Sequence, residues 1–174
     1  MQDIYDRAKR IRLAAFDVDG VLTDGALYFS ASGEELKAFH VRDGHGMKML
    51  QAGGIQLAII TSRQSRCVEL RAQGLGIDLV YQGTADKHAA FQDLLARLRL
   101  DAAAAAYMGD DVLDLPILRR CGLAVAVPEA PAAVRRQAHY VTRERGGHGA
   151  VRELCELILH AQGTFERQLA PYLQ

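Results

Sequence analysis

Short apolar runs alternate with amphipathic stretches along most of the chain. The apolar runs predict strands at about 12–18, 56–60, 78–81, 105–109, 123–127 and 139–141. Between these runs, the pattern predicts helices near 45–53, 64–73, 86–97, 112–120, 131–136 and 149–162. Strands that alternate with helices are typical of a doubly wound, Rossmann-like α/β fold with a parallel sheet. We therefore predict a single α/β domain over residues 1–174.

One segment interrupts this alternation directly after the first strand. The runs "ALYFS" and "ELKAFHV" flank "ASGE", which predicts a β-hairpin insertion at about 25–41. The hairpin is too short to form a globular cap domain. Its aromatic residues Tyr28, Phe29 and Phe39 indicate a candidate assembly surface. The alternative is a hairpin that packs on its own domain.

The segment "DAAAAAYMGDD" gives conflicting signals. Its five consecutive alanines favour a helix. The end of the segment is nevertheless predicted to be a strand, because "AYMG" then delivers "GDD" to the edge of the sheet.

Composition excludes several classes of protein. Of the 174 residues, 49% are apolar and 24% charged, which is ordinary for a globular protein. Lys plus Arg and Asp plus Glu are 21 each, so there is no basic excess to indicate binding to nucleic acid or to a membrane surface. The charged start "MQDIYDRAKRIR" lacks the apolar core of a signal peptide, and the three cysteines have no metal-ligand spacing. We expect a cytoplasmic protein with free thiols.

Candidate chemistry collects at the predicted carboxyl ends of four strands, where ligands bind in open α/β sheets. Asp17 and Asp19 follow the first strand, and their i, i+2 spacing points both side chains the same way. The later strand ends add Thr61, Ser62 and Arg63, then Lys87, and finally Asp110, Asp111 and Asp114. Taken alone, each could be a turn, a helix cap or a solvated lysine. Their coincidence at successive strand ends favours a functional site.

The segments "DVDGVLTDG", "TSR", "DK" and "GDDVLD" resemble, in this order, the four motifs of the haloacid dehalogenase superfamily of phosphatases. The resemblance implies that Asp17 is the nucleophile and Asp19 the general acid and base. It also implies that phosphate is bound by Thr61, Ser62 and Lys87. The implied cofactor is Mg²⁺, held by Asp17, Asp110 and the backbone carbonyl of Asp19. Asp111 and Asp114 would support the site.

Further segments, "FHVRDGHGMKML" and "YVTRERGGHGAVRELCELIL" among them, resemble the capless, tetrameric 3-deoxy-D-manno-octulosonate 8-phosphate phosphatases of lipopolysaccharide biosynthesis. This resemblance implies a small sugar-acid phosphate as substrate and a homotetramer as the assembly. In such an assembly the segment around Arg143 to Gly149, which opens the tail and helix of about 143–174, would close over a neighbouring subunit's site. Its glycines would let the backbone approach a ligand closely. The arginines expected to bind the sugar acid are Arg63, Arg71, Arg143 and Arg145.

Two departures from the family pattern and three alternatives accompany this interpretation. Ser62 stands where glycine is common, and His148 stands where an arginine is expected. One alternative is a phosphatase for a nine-carbon keto-acid 9-phosphate, which tends to carry an acidic residue in place of Arg63. Another is a catalytically silent oligomerisation module of the same fold. A response-regulator receiver fits less well, because its phosphorylated aspartate lies on a middle strand.

Overall fold

The computed structural model describes residues 2–173 and contains a six-stranded parallel sheet beside a two-stranded antiparallel hairpin. The strands are β1 (Leu13–Phe16), β2 (Tyr28–Phe29), β3 (Glu35–Leu36), β4 (Gln56–Ile60), β5 (Leu79–Tyr81), β6 (Ala105–Gly109), β7 (Leu123–Ala126) and β8 (Tyr140–Val141). The large sheet has the order β5-β4-β1-β6-β7-β8, and β2 pairs with β3. The predicted doubly wound α/β class and the six predicted strands are confirmed.

The α-helices alternate with these strands along the chain. They are α1 (Gln2–Ala8), α2 (Val41–Ala52), α3 (Arg66–Leu75), α4 (Lys87–Leu98), α5 (Leu115–Leu118), α6 (Ala132–Arg135), α7 (Ala150–Ala161) and α8 (Phe165–Leu169). Among residues 2–173, none of the helices has both the length and the apolar character needed to cross a membrane.

β1 lies at the centre of the sheet because all four of its residues are apolar and buried. It pairs in parallel with β4 on one side and with β6 on the other. The chain therefore turns to opposite sides of β1, and the carboxyl ends of β1, β4, β5 and β6 meet at one edge of the sheet. This switch of strand order is where open α/β sheets bind ligands.

The end of the alanine-rich segment forms a strand, as predicted. Residues 102–104 form one turn of 3₁₀ helix, and the strand β6 begins at Ala105. All five residues of β6 are buried, and the strand lies between β1 and β7. Burial at the centre of the sheet thus outweighs the helical preference of alanine.

Two predicted helices have different bounds in the structure. α2 begins at Val41 instead of about 45, although Gly44 and Gly46 disfavour a helix. A side chain on Gly44 would overlap Arg71 of α3, and one on Gly46 would overlap Arg152 of α7, so these glycines permit close packing of the helices. The predicted helix 112–120 is a 3₁₀ turn at 112–114 followed by the short α5.

The hairpin insertion is confirmed, and its exposed residues differ in part from the prediction. Tyr28 and Phe29 are 44% and 58% exposed, as expected for an assembly surface. Phe39 instead packs against the hydrophobic core, with the Arg71 guanidinium 5.6 Å from the centre of its ring. The exposed aromatic residues of the hairpin are therefore Tyr28 and Phe29 of β2. The absence of a cap domain and the single-domain boundaries stay predictions.

Candidate active site

Asp17 and Lys87 form the centre of the candidate site. Asp17 directly follows β1, and its Oδ2 lies 2.5 Å from Lys87 Nζ, while its Oδ1 accepts a 2.7 Å hydrogen bond from the backbone N–H of Val18. Lys87 is the first residue of α4, which begins there because the Asp86 side chain caps the helix by accepting from the Ala89 N–H at 3.0 Å. Both side chains are almost completely buried.

Asp114 holds this pair in place and has no free lone-pair direction for another ligand. Its Oδ1 accepts hydrogen bonds from Lys87 Nζ and from the Tyr107 hydroxyl, each at 2.7 Å. Its Oδ2 accepts from the backbone N–H groups of Asp110 and Asp111, at 2.9 and 3.1 Å. The residue is fully buried. The supporting role predicted for Asp114 from the sequence stays a prediction.

Asp110 presents an unsatisfied oxygen to the site. Its Oδ1 is buried and has no hydrogen-bond partner among the described residues. The carboxylate lies close to the backbone of Gly20, where an added side chain would overlap it, and Gly20 has a φ of +89° that favours glycine. Glycine at position 20 therefore allows Asp110 to approach the loop after β1.

The carboxylates of Asp17, Asp110 and Asp114 lie close together beside one buried lysine, Lys87. Burial and the charge of Asp114 raise the pKa of Asp17 to about 6, against the opposing effect of Lys87. Burial and the charge of Asp17 raise the pKa of Asp110 to about 7. Burial lowers the pKa of Lys87, but the two aspartates outweigh it and the net shift is upward. One lysine thus does not balance the acidic groups.

A divalent cation fits this arrangement. Carboxylate oxygens of Asp17, Asp110 and Asp114 lie within 4.8 Å of one another. Asp114 already accepts four hydrogen bonds, so the oxygens able to hold a cation belong to Asp17 and Asp110. Mg²⁺ prefers such oxygen ligands and usually uses one or two carboxylates. The unpaired Asp110 oxygen is the observation on which this fit depends.

A cavity of about 320 Å³ opens above these carboxylates. It brings together eight of the residues predicted from the sequence, namely Asp17, Asp19, Thr61, Ser62, Arg63, Lys87, Asp110 and Asp111. Gly25, Leu27 and Leu113 complete its wall. The cavity therefore places four acidic groups, two hydroxyls, a lysine and an arginine around one volume.

Three arginines predicted to bind substrate lie outside this cavity. Arg71 donates from Nη2 to the backbone carbonyl of His40 at 3.2 Å. Arg143 lines a separate cavity of about 630 Å³ beside α7. Arg145 is largely exposed and forms an ion pair with Glu129. Their part in binding a substrate stays a prediction, and for Arg143 and Arg145 the prediction concerns a neighbouring subunit.

The glycine-rich tail segment packs on the loop that follows β1 of its own chain. The Gly147 N–H donates to the Val21 carbonyl at 2.9 Å. A side chain on Gly146 would overlap the carbonyl of Gly20, and one on Gly147 would overlap the backbone between Thr23 and Asp24. Within one chain, the backbone of these glycines therefore lies against the loop after β1, and their approach to a ligand in a neighbouring subunit stays a prediction.

Sequence reasoning missed three residues that contact the candidate catalytic groups. Tyr107 donates to Asp114, Lys37 contacts Asp19, and Glu35 contacts Arg63. Tyr107 lies within the predicted strand "AYMG", where its hydroxyl on a buried strand was a usable signal. Lys37 and Glu35 belong to the hairpin, and no periodic pattern predicts how a hairpin folds over a sheet edge.

Comparisons with known proteins assign this site to a family. Residues 76–154 match the model of the haloacid dehalogenase-like hydrolases. The 3-deoxy-D-manno-octulosonate 8-phosphate phosphatase KdsC of Yersinia pestis is 50% identical over 164 residues, which are 94% of this chain and 88% of that protein. The chain belongs to the KdsC family of haloacid dehalogenase-like hydrolases.

KdsC proteins from other bacteria and solved structures agree with this membership. KdsC of Escherichia coli K12 is 48% identical over 94% of this chain and 87% of its own length. A probable YrbI family phosphatase from Pseudomonas syringae has a TM-score of 0.98 at 52% identity, covering 100% of this chain and 99% of that one. A Moraxella catarrhalis octulosonate 8-phosphate phosphatase, solved with magnesium, phosphate and KDO, has a TM-score of 0.97 at 45% identity, covering 99% of each chain. The predicted superfamily and hydrolase class are confirmed.

Proposed function

We propose that this KdsC-family chain is a Mg²⁺-dependent phosphatase that hydrolyses 3-deoxy-D-manno-octulosonate 8-phosphate to the free sugar acid and phosphate. The observation that carries the proposal is the juxtaposition of Asp17, Lys87 and the unpaired oxygen of Asp110 at the switch point of the sheet. The Moraxella relative, which binds magnesium, phosphate and KDO, supports the same cofactor and substrate for this chain.

In the proposed reaction Asp17 attacks phosphorus. The new bond joins the Asp17 carboxylate to phosphorus, the ester P–O bond breaks, and the leaving sugar oxygen takes a proton from Asp19. Water then attacks the aspartyl-phosphate, gives its proton to Asp19, and releases phosphate with Asp17 regenerated. Covalent catalysis in this way divides one displacement into two steps.

Lys87, Thr61 and Ser62 supply the donors that hold the phosphoryl oxygens during both steps. Positioning and electrostatic stabilisation dominate catalysis of phosphoryl transfer. Asp17 and Asp110 would hold Mg²⁺, together with the carbonyl of Asp19, and the bound ion would neutralise phosphate charge that otherwise repels an approaching carboxylate. Asp114 accepts a hydrogen bond from Lys87 and another from the Tyr107 hydroxyl, and neither Asp114 nor Tyr107 lines the cavity.

The alternatives are less well supported by the residues present. A silent oligomerisation module would not need the buried Asp17–Lys87 pair, nor a buried Asp110 oxygen without a hydrogen-bond partner among the described residues. A buried acceptor left unpaired costs stability. A nine-carbon 9-phosphate shares the phosphate chemistry and differs at the sugar end. Phosphatases for the nine-carbon substrate tend to carry an acidic residue at the position of Arg63. In this chain the position is an arginine, and Arg63 lines the cavity.

A phosphate-release screen with Mg²⁺ tests the proposal. The panel contains eight- and nine-carbon keto-acid phosphates, hexose phosphates and 4-nitrophenyl phosphate. We expect the highest kcat/KM for octulosonate 8-phosphate. Release of phosphate from aromatic esters alone would support the phosphatase activity and contradict the proposed substrate. No release from any ester would contradict both the activity and the substrate.

Arg63→Ala is expected to raise KM for the sugar-acid phosphate by about 10-fold or more and to change hydrolysis of 4-nitrophenyl phosphate little. The reason is that a guanidinium–carboxylate contact is charge-assisted and remote from phosphorus. Arg66→Ala is the matched control, since Arg66 lies three residues further along, is 73% exposed and pairs with Glu69. Equal losses on both substrates would place Arg63 at the phosphate instead.

We further propose a cytoplasmic homotetramer, in which the exposed strands of the hairpin contribute to the subunit interface. Leu27, Tyr28, Phe29 and Leu36 are between 44% and 61% exposed, which is a large apolar surface for a short hairpin. A solution mass four times that of the 19.1 kDa chain is expected. Phe29→Ser should lower that mass, and a parent that remains monomeric at micromolar concentration would contradict the tetramer.

A further inference from the structure

Lys37 connects the hairpin to the candidate acid and base. It follows β3, and its Nζ donates to Oδ1 of Asp19. The Lys37 side chain is only 2% exposed, whereas that of Asp19 is 21% exposed and lines the cavity. An ammonium group withdrawn from water to this degree requires an anionic partner. The contact therefore belongs to the folded hairpin and is not a fluctuating surface ion pair.

Three further groups extend this contact into a closed charge network. Lys37 Nζ also lies 3.4 Å from Oε1 of Glu35, and the same oxygen accepts a 3.2 Å hydrogen bond from Nη2 of Arg63. Arg63 Nε lies 3.6 Å from Oδ2 of Asp19. The Ser65 hydroxyl donates to the other oxygen of Glu35. Positive and negative groups thus alternate around the network, and each carboxylate has a cation on either side.

The network restricts the orientation of Asp19. Lys37 occupies Oδ1, so rotation of the carboxyl group would break a buried ion pair. The longer 3.6 Å approach of the half-exposed Arg63 leaves Oδ2 available to a ligand. A general acid must lie within hydrogen-bond reach of the leaving oxygen, and small displacements reduce its effect strongly. Lys37 provides this restriction from the hairpin, outside the four superfamily motifs.

We propose that Lys37 is a positioning residue for Asp19, which holds the carboxyl group in the orientation that serves both proton transfers. The proposal rests on the phosphatase function proposed above. Lys37 itself gains and loses no proton. In the first step the proton passes from Asp19 to the leaving oxygen, and in the second step it returns to Asp19 from the attacking water.

The test compares two esters of similar size on Lys37→Met, a variant of nearly equal side-chain length without the charge. Benzyl phosphate releases a strongly basic alkoxide that needs a proton, whereas 4-nitrophenyl phosphate releases a stabilised phenolate that does not. We expect kcat/KM for benzyl phosphate to fall by about 10²-fold and that for 4-nitrophenyl phosphate by less than about 10-fold. Because both rates come from one preparation, a loss of folded protein leaves their ratio unchanged.

Two controls make the outcome specific to the charge. Lys37→Arg keeps a cation and should recover part of the lost ratio. Lys48→Met makes the same substitution on the exposed face of α2 and should match the parent. An unchanged ratio of the two esters in Lys37→Met overturns the positioning role. If the parent protein releases phosphate from neither ester, the proposed phosphatase function is contradicted. This result differs from an unchanged ratio in an active Lys37→Met variant, which contradicts only the positioning role.

Discussion

Asp17→Asn is expected to reduce kcat/KM for phosphate release by at least about 10³-fold, because an amide does not attack phosphorus. The protein should remain folded. The substitution removes a carboxylate whose pKa burial raises, and Lys87 keeps its 2.7 Å contact with Asp114. The denaturation midpoint at pH 7 should therefore be no lower than that of the parent. Steady-state phosphate release and thermal unfolding, measured on the same preparation, check both expectations.

Asp78→Asn is the matched control for this substitution. Asp78 is exposed and precedes β5 at the opposite, amino end of the sheet, so the same change of chemistry is made far from the cavity. Its activity should equal that of the parent. Activity of Asp17→Asn within about tenfold of the parent would contradict the formation of an aspartyl-phosphate on Asp17 and would require another nucleophile.

Removal of divalent metal is expected to reduce activity by at least about 10³-fold, and Mg²⁺ should restore it. A metal that neutralises phosphate charge contributes several kcal/mol to the transition state. Ca²⁺ should be a poor substitute, because it prefers more ligands at longer distances than Mg²⁺. Phosphate release after exhaustive chelation, and after addition of each ion, measures the effect. Full activity of the chelated protein would contradict the charge argument based on Asp17 and Asp110.

The pH dependence of metal binding provides a test that does not use activity. In the metal-free protein the pKa of Asp17 is about 6 and that of Asp110 about 7, against 3.8 for an ordinary aspartate. The folded state therefore binds more protons than the unfolded state between about pH 4 and pH 7, and the free energy of unfolding falls as the pH rises through this range. Mg²⁺ binds the ionised carboxylates, so it competes with these protons.

We accordingly expect the rise in Tm caused by Mg²⁺ to be small at pH 5 and large at pH 8. Asp110→Asn should lose most of this rise, because it removes the carboxylate with the unpaired buried oxygen. Asp78→Asn should retain it. A Mg²⁺-induced shift that is the same at both pH values would show that the ion binds groups already ionised at pH 5, and hence not this pair.

The strands and the order of the motifs were predictable because they depend on local pattern. β1, β4 and β6 are short runs of apolar residues that a central parallel strand requires, and their bounds follow within a few residues. The predicted bounds of the helices were less accurate where packing against other elements determines where a helix begins or ends. α2 begins early because Gly44 and Gly46 fit closely against neighbouring helices, and α5 is short because Asp114 turns back to the N–H groups before it.

The N- and C-terminal helices α1 and α8 were not predicted. α1 has seven residues and α8 five, which is too short for a clear periodic pattern. α1 packs on α7 and buries Ala8, while Phe165 of α8 stacks on His160 with ring centres 4.0 Å apart. Contacts with the rest of the domain therefore stabilise both helices, and such contacts are not visible in a local stretch of sequence.

The sequence by itself determined which chemical groups stand at the carboxyl ends of the strands, because side-chain type and strand alternation are local properties. Asp17, Thr61, Lys87 and Asp110 were identified in this way, and the structure places them around one cavity. Only the tertiary structure decided which groups touch. Arg71 contacts the backbone carbonyl of His40 and does not line the cavity. In the hairpin, Lys37 contacts Asp19 and Glu35 contacts Arg63. The tail glycines pack on the loop after β1. These contacts join residues far apart in the chain, so their geometry depends on how whole elements pack.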